Sequence, residues 1–469
     1  MRAGRRTVLA GGACAALLAL APSRGAVAAA LGPAPPELLA ERRVIDVRGR
    51  AATIAGLRQP DGTHGLRIAD GDRFRVALIN RLPEPTLIHW HGLRSPVAQD
   101  GMPGISQPVL QPGAAYAYDF ALRDWGTYWM HAHHALQEQQ LLAAPLIIAD
   151  PEPADEQEVV LMLHDFSFRA PDEILASLQR GIMSSILSAL IGGYSGHGHH
   201  GGAHVNDVEF DAYLANDRTL ADPEAVQVER GGRVRLRIIN GASSTNFAIE
   251  LGALEGELVA VDGRPVHPVG GRRFGIAMSQ RLDLKLRIPG SGAFPVLAVR
   301  EGDRQATGIV LHTPGAAVPR VSEAVADAAP PLSLAEEERL RALEPLEQRA
   351  ADRRMRIALT GDLMDYGWSF DGSRADAMRE YAVKPGERVE ITLDNRTAMS
   401  HPVHLHGHRF QVVGSGSGRF AGAVRDTVLV PGGSSVTLAL DADNPGSWML
   451  HCHNLYHMAA GMMALLRYV

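Results

Sequence analysis

Cysteine is almost absent: the 469 residues contain two, Cys14 and Cys452. Cys14 falls in a segment with the marks of an export signal. Arg5-Arg6 precede Thr7-Val8-Leu9, an apolar stretch reaches Leu20, and Ala26-Val27-Ala28 offers a small-residue cleavage site. Residues 1–28 therefore read as a twin-arginine (Tat) signal peptide, with the Tat export machinery as a partner and a periplasmic or other extracytoplasmic destination. Cleavage after Ala28 removes four arginines and takes the net charge from −6 to −10. A mature chain with one cysteine closes no internal disulfide, and a bare thiol in an oxidising compartment is a liability unless something binds it. Long hydrophobic runs are missing too. The apolar stretch of the signal is too short for a membrane span and is broken by Pro22, so no stable membrane anchor is expected. Nor is there the excess of positive charge that would leave a basic footprint for nucleic acid.

What is present gathers around Cys452. The run His451–Met463, HCHNLYHMAAGMM, sets Cys452 between two histidines, with His457 five residues on and Met462 five residues after that. A thiolate, an imidazole and a distant thioether form the ligand set of a blue-copper electron-transfer site, provided a second histidine arrives from elsewhere. His401, in HPVHLHGH, can supply it. In an extended chain successive side chains alternate, so Cys452 points to one face and His451 and His453 to the other. The same parity sets His404 and His406 on one face while His401 looks the opposite way. Two further H-x-H pairs lie upstream, His89/His91 in HWHG and His131/His133 in HAH. Four pairs make eight imidazoles, which suit a cluster of three copper ions when shared as two, three and three.

On these motifs the chain resembles the three-domain multicopper oxidases, with the four copper motifs in the family's order. Within that family it is most similar to the periplasmic copper-resistance oxidases and bacterial laccases, through GTYWMHAHHALQEQ (126–139), GDLMDYGWSFDG (361–372) and HCHNLYHMAAGMM. The resemblance runs from about residue 40 to the C-terminus and is weakest in the middle third. It implies an all-β fold of three cupredoxin-like Greek-key β-sandwich domains. It also implies four copper ions per chain, one type 1, one type 2 and a type 3 pair, with dioxygen as the electron acceptor. Asp100, nine residues after His91 in QDGMPG, matches the family's carboxylate beside the cluster, where it would relay protons; read locally, it is as readily a turn residue before Gly101. Two family features are absent. The Asn-Gly-Pro-Gly-Pro loop expected before the first histidine pair is replaced in GLRQPDGTHGLRIADGD (56–72), and Met458 stands where some relatives carry a second acidic residue.

Short β-branched and apolar runs separated by Gly, Pro and Asp turns divide the chain. The expected domains are 36–150, 155–315 and 353–469. The second holds no copper motif, and by resemblance keeps the outer two in register. Its insertion, residues 167–205, is expected to be helical over PDEILASLQRGIMSSILSALIGG and then carries His197, His199, His200 and His204, a tract that either captures accessory copper or is a solvated loop. Of a methionine-rich funnel only Met183 remains. Residues 316–352 read as a linker with a short, exposed, charged helix opened by a Ser333–Glu336 capping box, and as a spacer without function of its own. His134 and His408 flank the ligand motifs and are expected at the rim; His64, His164, His267 and His312 are expected to be structural. Asp426 in RDTVLVPG is expected to tie a loop near the site.

The expected reaction is four one-electron oxidations of a reductant at the mononuclear copper, coupled through Cys452 to reduction of dioxygen to two waters. Met399, Met458 and Met463 lie near the mononuclear ligands in sequence, and soft thioethers favour Cu(I). A cuprous oxidase serving copper tolerance, acting as a monomer, is the first reading. A phenol-oxidising laccase is the second, and a non-catalytic scaffold on the same fold a distant third. A copper nitrite reductase is disfavoured, because those chains are shorter and place the blue-copper cysteine in their first domain.

Overall fold

Alternation decides most of the strands. In Arg73–Asn80 (RFRVALIN), Phe74, Val76, Leu78 and Asn80 are buried while the residues between them are more exposed, the period-two pattern of a strand with one face on a core. The computed structural model describes residues 35–69, 73–151, 154–180, 205–373 and 377–469. The signal segment, Met183 and the four histidines at 197, 199, 200 and 204 lie outside the described residues.

The described strands form six sheets, and the chain builds them two at a time. Strands between residues 37 and 148 make two four-stranded sheets, those between 157 and 312 a six- and a five-stranded sheet, and those between 353 and 468 a seven- and a five-stranded sheet. The topology repeats. The opening strand of each pair lies parallel to a later one, Glu37 against Ala77, Val159 against Leu236 and Met355 against Ile391. In the facing sheets Leu66 pairs parallel to Leu146, Val226 to Leu311 and Glu380 to Leu465. The fold is thus all-β, three cupredoxin-like sandwiches in series. One continuous apolar core runs from Leu136 to Leu466, while residues 38–148 enclose a second.

Two of these sheets present the histidines. The short strand Ile88–His91 is wholly buried and pairs antiparallel with Gly126–Ala132, which sets His89 opposite His131. In the C-terminal third, His401–Leu405 pairs antiparallel with Ser447–Cys452, setting His404 opposite His451 and Val403 opposite Cys452. Register therefore turns four sequence motifs into two facing rows of imidazoles.

Buried charge locks the middle sheets against the first pair. Arg237 is fully buried, with Nη1 2.8 Å from Asp283 Oδ2 and 3.1 Å from Thr127 Oγ1, and with Glu158 and Asp150 on its other nitrogens. Thr127 lies on the strand that carries His131, so this network fixes that strand from behind.

Helix is scarce. Pro171–Gln179 opens the insertion, with Pro171 at its first turn and Asp172 and Glu173 facing the positive end of its dipole; the rest of the expected helix lies outside the described residues. The linker departs from expectation. Its helix shrinks to one 3₁₀ turn, Glu337–Arg339. Ser333 Oγ accepts from the nearby Ala335 N, and Glu336 accepts from Gly275 N instead of completing a capping box. The turn is not a solvated spacer either: Glu337 is buried and ion-paired with Arg425, a tertiary contact that overrides the local helical preference.

Removing one member of a buried ion cluster leaves uncompensated charge and costs about 3–5 kcal/mol. Arg237→Met should lower the stability of the metal-free protein in urea by that amount, and a loss below about 1 kcal/mol would show that the network is not holding the sheets together.

Candidate metal centre

The residues on the two faces of strand Ser447–Cys452 lead to two separate clusters. On one face, Cys452 Sγ lies 3.6 Å from His401 Nδ1 and 3.8 Å from His457 Nδ1, and the two Nδ1 atoms are 3.1 Å apart. All three residues are fully buried. Each imidazole is turned by its far nitrogen. His457 Nε2 donates to Asp207 Oδ2 at 3.1 Å, and His401 Nε2 meets Thr397 Oγ1 at 2.8 Å, a hydroxyl whose own hydrogen goes to Asn395 Oδ1 or the Met399 carbonyl. The tautomers follow: both Nδ1 atoms carry lone pairs and face each other beside the thiol. Asn454 caps the helix Leu455–Ala459 by accepting from Tyr456 N and His457 N, which holds His457 in place. Met462 is fully buried in the same loop, its carbonyl accepting from Cys452 N at 3.1 Å.

The other face opens on the eight remaining histidines. His89, His404 and His406 converge, as do His89, His91 and His131, and His133, His406 and His451; within each group the ligand atoms lie within 4.8 Å of one another. His453 closes the cage, its ring 5.0 Å from those of His91 and His131. His89 stacks on His406 and His91 on His404, each at 3.8 Å, so rings from residues 89–133 interleave with rings from 404–453. His408 sits one layer out, between His406 O and Tyr468 Oη, and His134 is half-buried beside His133. His64 and His164 spend a ring nitrogen on the Ala143 and Gly241 carbonyls.

Outer contacts orient the cage. His89 Nδ1 donates to Asp100 O at 2.8 Å and His406 Nδ1 to Asp100 Oδ2 at 2.8 Å. Asp100 reaches inward because Gly101 follows it at φ +82°, so close to strand Ile88–His91 that a Cβ there would sit 1.8 Å from Ile88 O. His91 Nε2 donates to Asp426 Oδ1 at 3.1 Å, and His404 Nδ1 to Asp426 O at 2.9 Å. Arg281, fully buried, pairs with Asp426 and holds its carboxyl below the usual range despite burial. Glu138 Oε2 lies 2.7 Å from His131 Nδ1, and burial pushes this carboxyl up. Two of these carboxylates had no role on sequence grounds, Asp426 being placed only near the site and Glu138 passing unremarked inside HALQEQ.

The donor atoms fit metal ions. Six cage nitrogens are buried without a protein hydrogen-bond partner: Nε2 of His89, His131, His133, His404 and His453, and Nδ1 of His91. The other two, His406 Nε2 and His451 Nε2, stand 3.1 Å apart, and both carry lone pairs because their Nδ1 atoms donate to Asp100 and the Cys452 carbonyl. A proton shared between them is disfavoured, since burial and the neighbouring imidazoles hold both well below the usual histidine range. At the mononuclear cluster, N···N and S···N separations of 3.1, 3.6 and 3.8 Å suit one ion with bonds of about 2.0 Å to nitrogen and about 2.3 Å to sulfur. Burial pushes the Cys452 thiol up, so its thiolate needs a cation at Sγ.

Comparison with known proteins agrees with this donor set. Family models for multicopper oxidases match residues 62–153, 189–316 and 349–468. A multicopper oxidase of Mycobacterium tuberculosis, MmcO, is 30% identical over 424 residues, 86% of this chain and 81% of the relative. The chain belongs to the multicopper oxidases. It is a copper-dependent oxidoreductase that uses dioxygen. A copper resistance protein A homolog of Pseudomonas syringae pv. tomato is 27% identical over 90% of both chains. The crystal structure of a multi-copper oxidase from Pseudomonas thermotolerans is 26% identical, with a TM-score of 0.71 over 92% of this chain and 98% of that one. No helix among the described residues of the oxidase is long and apolar enough to cross a membrane.

The buried imidazoles make the metal-free oxidase acid-sensitive. Burial holds His133 down to about 3 and His164 and His408 to about 4, against 6.5 for free imidazole, so below 6.5 the unfolded chain binds more protons than the folded one. Stability present above that value is lost as pH falls toward the folded values. Glu336, raised by burial to about 7, and Glu138, Asp165, Glu301 and Glu337, also pushed up by burial, slope the other way but are outnumbered by the buried histidines. The urea midpoint of the metal-free protein should fall steadily between about pH 6.5 and about pH 4; a flat midpoint over that window would contradict the neutral, buried cage.

Proposed function

We propose that the chain couples one-electron oxidations of a reductant to the reduction of dioxygen to two waters, with His401, Cys452, His457 and Met462 as the residues that would hold a mononuclear copper and the eight caged histidines as those that would hold a three-copper cluster. The cluster ligands are His89 and His404 for a type 2 ion, and His91, His131 and His453 with His133, His406 and His451 for a type 3 pair. The observation that carries this reading is the opposite facing of adjacent residues: Cys452 Sγ meets His401 and His457, while His451 on the same strand enters the cage. Bound copper would supply the one-electron redox chemistry at both places.

The chain's own residues do the rest. Cys452 is bonded through the backbone to both His451 and His453, and this gives electrons a covalent route between the centres. Asp100 is buried with Oδ2 on His406 and with Oδ1 free of any hydrogen bond, 3.4 Å from His89 Nδ1, so Oδ1 is the atom placed to relay protons beside the cluster. The buried walls keep bulk water from the cage, which strengthens every charge interaction within it.

The reading extends to biology. Cu(I) is the proposed reductant and copper tolerance the proposed role, supported by the likeness to a protein named for copper resistance and by Met399, Met458 and Met463, which neighbour the mononuclear ligands in sequence. The domains are proposed at 36–150, 155–315 and 353–469, with export as a monomer by the twin-arginine route to the periplasm.

Purified protein loaded with copper should bind close to four ions per chain and show an intense thiolate-to-copper absorption. Cys452→Ser should abolish that band and leave about three ions. A band that survives the substitution, or a wild-type count near one, contradicts the assignment. Asp100→Asn should keep both copper count and band while cutting the rate of dioxygen reduction about 10²–10⁴-fold; an unchanged rate would remove Asp100 from proton transfer. Turnover of Cu(I) should exceed that of dimethoxyphenol, and strong copper-independent phenol turnover would make the protein a general laccase instead.

A further inference from the structure

Three buried carboxylates surround the histidine cage, and each spans its two halves. Asp100 Oδ2 is 2.8 Å from His406 Nδ1 and its Oδ1 3.4 Å from His89 Nδ1. Asp426 Oδ1 is 3.1 Å from His91 Nε2 and 3.5 Å from His404 Nδ1. Glu138 repeats the pattern with its two oxygens, Oε2 2.7 Å from His131 Nδ1 and Oε1 3.8 Å from His453 Nδ1. In every case one imidazole comes from residues 89–131 and the other from residues 404–453.

Asp426 is held by Arg281 on both oxygens, whereas Glu138 is placed by the turn that carries it. It lies in the 3₁₀ turn Gln137–Gln140, and both flanking glutamines are spent on fixing that turn. Gln137 accepts from Thr86 Oγ1 at 2.8 Å and donates to the Pro85 carbonyl at 2.9 Å, beside the strand that carries His89. Gln139 Oε1 accepts from Ser243 Oγ in the middle third and from Tyr456 Oη at 3.1 Å, in the helix that carries His457. A turn tied to all three parts of the chain sets a side chain that is 3% exposed and has one oxygen without a hydrogen-bond partner. A glutamate placed only to fill space has no use for such a frame.

We propose that Glu138 is a positioning residue for the type 3 copper held by His91, His131 and His453: its carboxyl oxygens, 2.7 Å from His131 Nδ1 and 3.8 Å from His453 Nδ1, hold both rings electrostatically, beside the bond His131 Nδ1 makes to the Ala132 carbonyl, so that the Nε2 atoms of both point into the cage. The proposal rests on the cluster assignment above. Glu138 touches no reacting atom; it acts through the two imidazoles, and the positive ion they hold would draw its carboxyl back to the ionised form that burial alone disfavours. Outer partners of this kind are worth about 10–100-fold in metal affinity.

The test is a chelator titration of the copper-loaded protein, followed by the thiolate-to-copper band and by the copper remaining per chain. Glu138→Gln keeps the size of the side chain and removes its charge; Glu138→Asp keeps the charge and withdraws it by one methylene. In both variants cluster copper should leave at a chelator concentration about 10–100-fold lower than in the wild type, while the Cys452 band persists to the wild-type concentration. Electron paramagnetic resonance should show the decoupling of the pair as copper signal beyond the mononuclear and type 2 ions. Either variant suffices if the other does not fold. Wild-type retention of cluster copper in a folded variant overturns the proposal. So does loss of the Cys452 band and cluster copper together, which would make Glu138 a support of the fold alone. A wild-type protein that binds no cluster copper would instead overturn the cluster assignment itself.

Discussion

Lone pairs forced to face one another are the constraint on which this structure turns. Each cage imidazole with a traced outer partner spends that nitrogen on a carboxylate or carbonyl, and this leaves its inner nitrogen bare, buried and surrounded by others like it. An unmet buried polar group costs about 1–3 kcal/mol, so six such nitrogens rival the whole net stability of a folded domain, about 5–15 kcal/mol. Protons relieve this poorly, because one added imidazolium charge repels the next. Soft or borderline cations relieve it fully, since each lone pair becomes a bond. The fold carries the expense of assembling the cage, and metal binding returns it.

That assembly needs rigidity from outside the cage. Arg237 and Arg281, both fully buried, hang on strands of the middle third and reach the strand of His131 through Thr127 and the ligand partner Asp426. The region without ligands of its own is thus the frame against which the other two are registered. Buried ion pairs are a costly way to gain stability, but when one partner is lost the penalty is large, so they specify a single arrangement.

How much of this was legible in the sequence follows from which contacts are local. The opposition of Cys452 to His451 and His453 depends only on strand alternation, and the two clusters lie where that parity puts them. His401 was offered by the HPVHLHGH motif and by its parity within that strand, but its meeting with a cysteine 51 residues away is a tertiary pairing that no local pattern fixes. The carboxylates were harder. Asp100 was found by its place in the family pattern, whereas Glu138 and Asp426 act only through tertiary neighbours, and a lone Glu in HALQEQ or Asp in RDT carries no periodic signal. The linker failed for the converse reason. SLAEEERLRALEPLEQ has the composition of an exposed helix, but Arg425, buried some ninety residues on, draws Glu337 inward and the helix is reduced to a turn.

Anomalous diffraction at the copper absorption edge, on crystals of the loaded protein, tests the central claim most directly. The account predicts one peak among Cys452 Sγ, His401 Nδ1 and His457 Nδ1, and three more enclosed by the inner nitrogens of the eight histidines, with Cys452 between the two groups. A cage free of anomalous signal while the Cys452 site is filled, or copper bound on the outer nitrogens in place of the carboxylates and carbonyls, would contradict it.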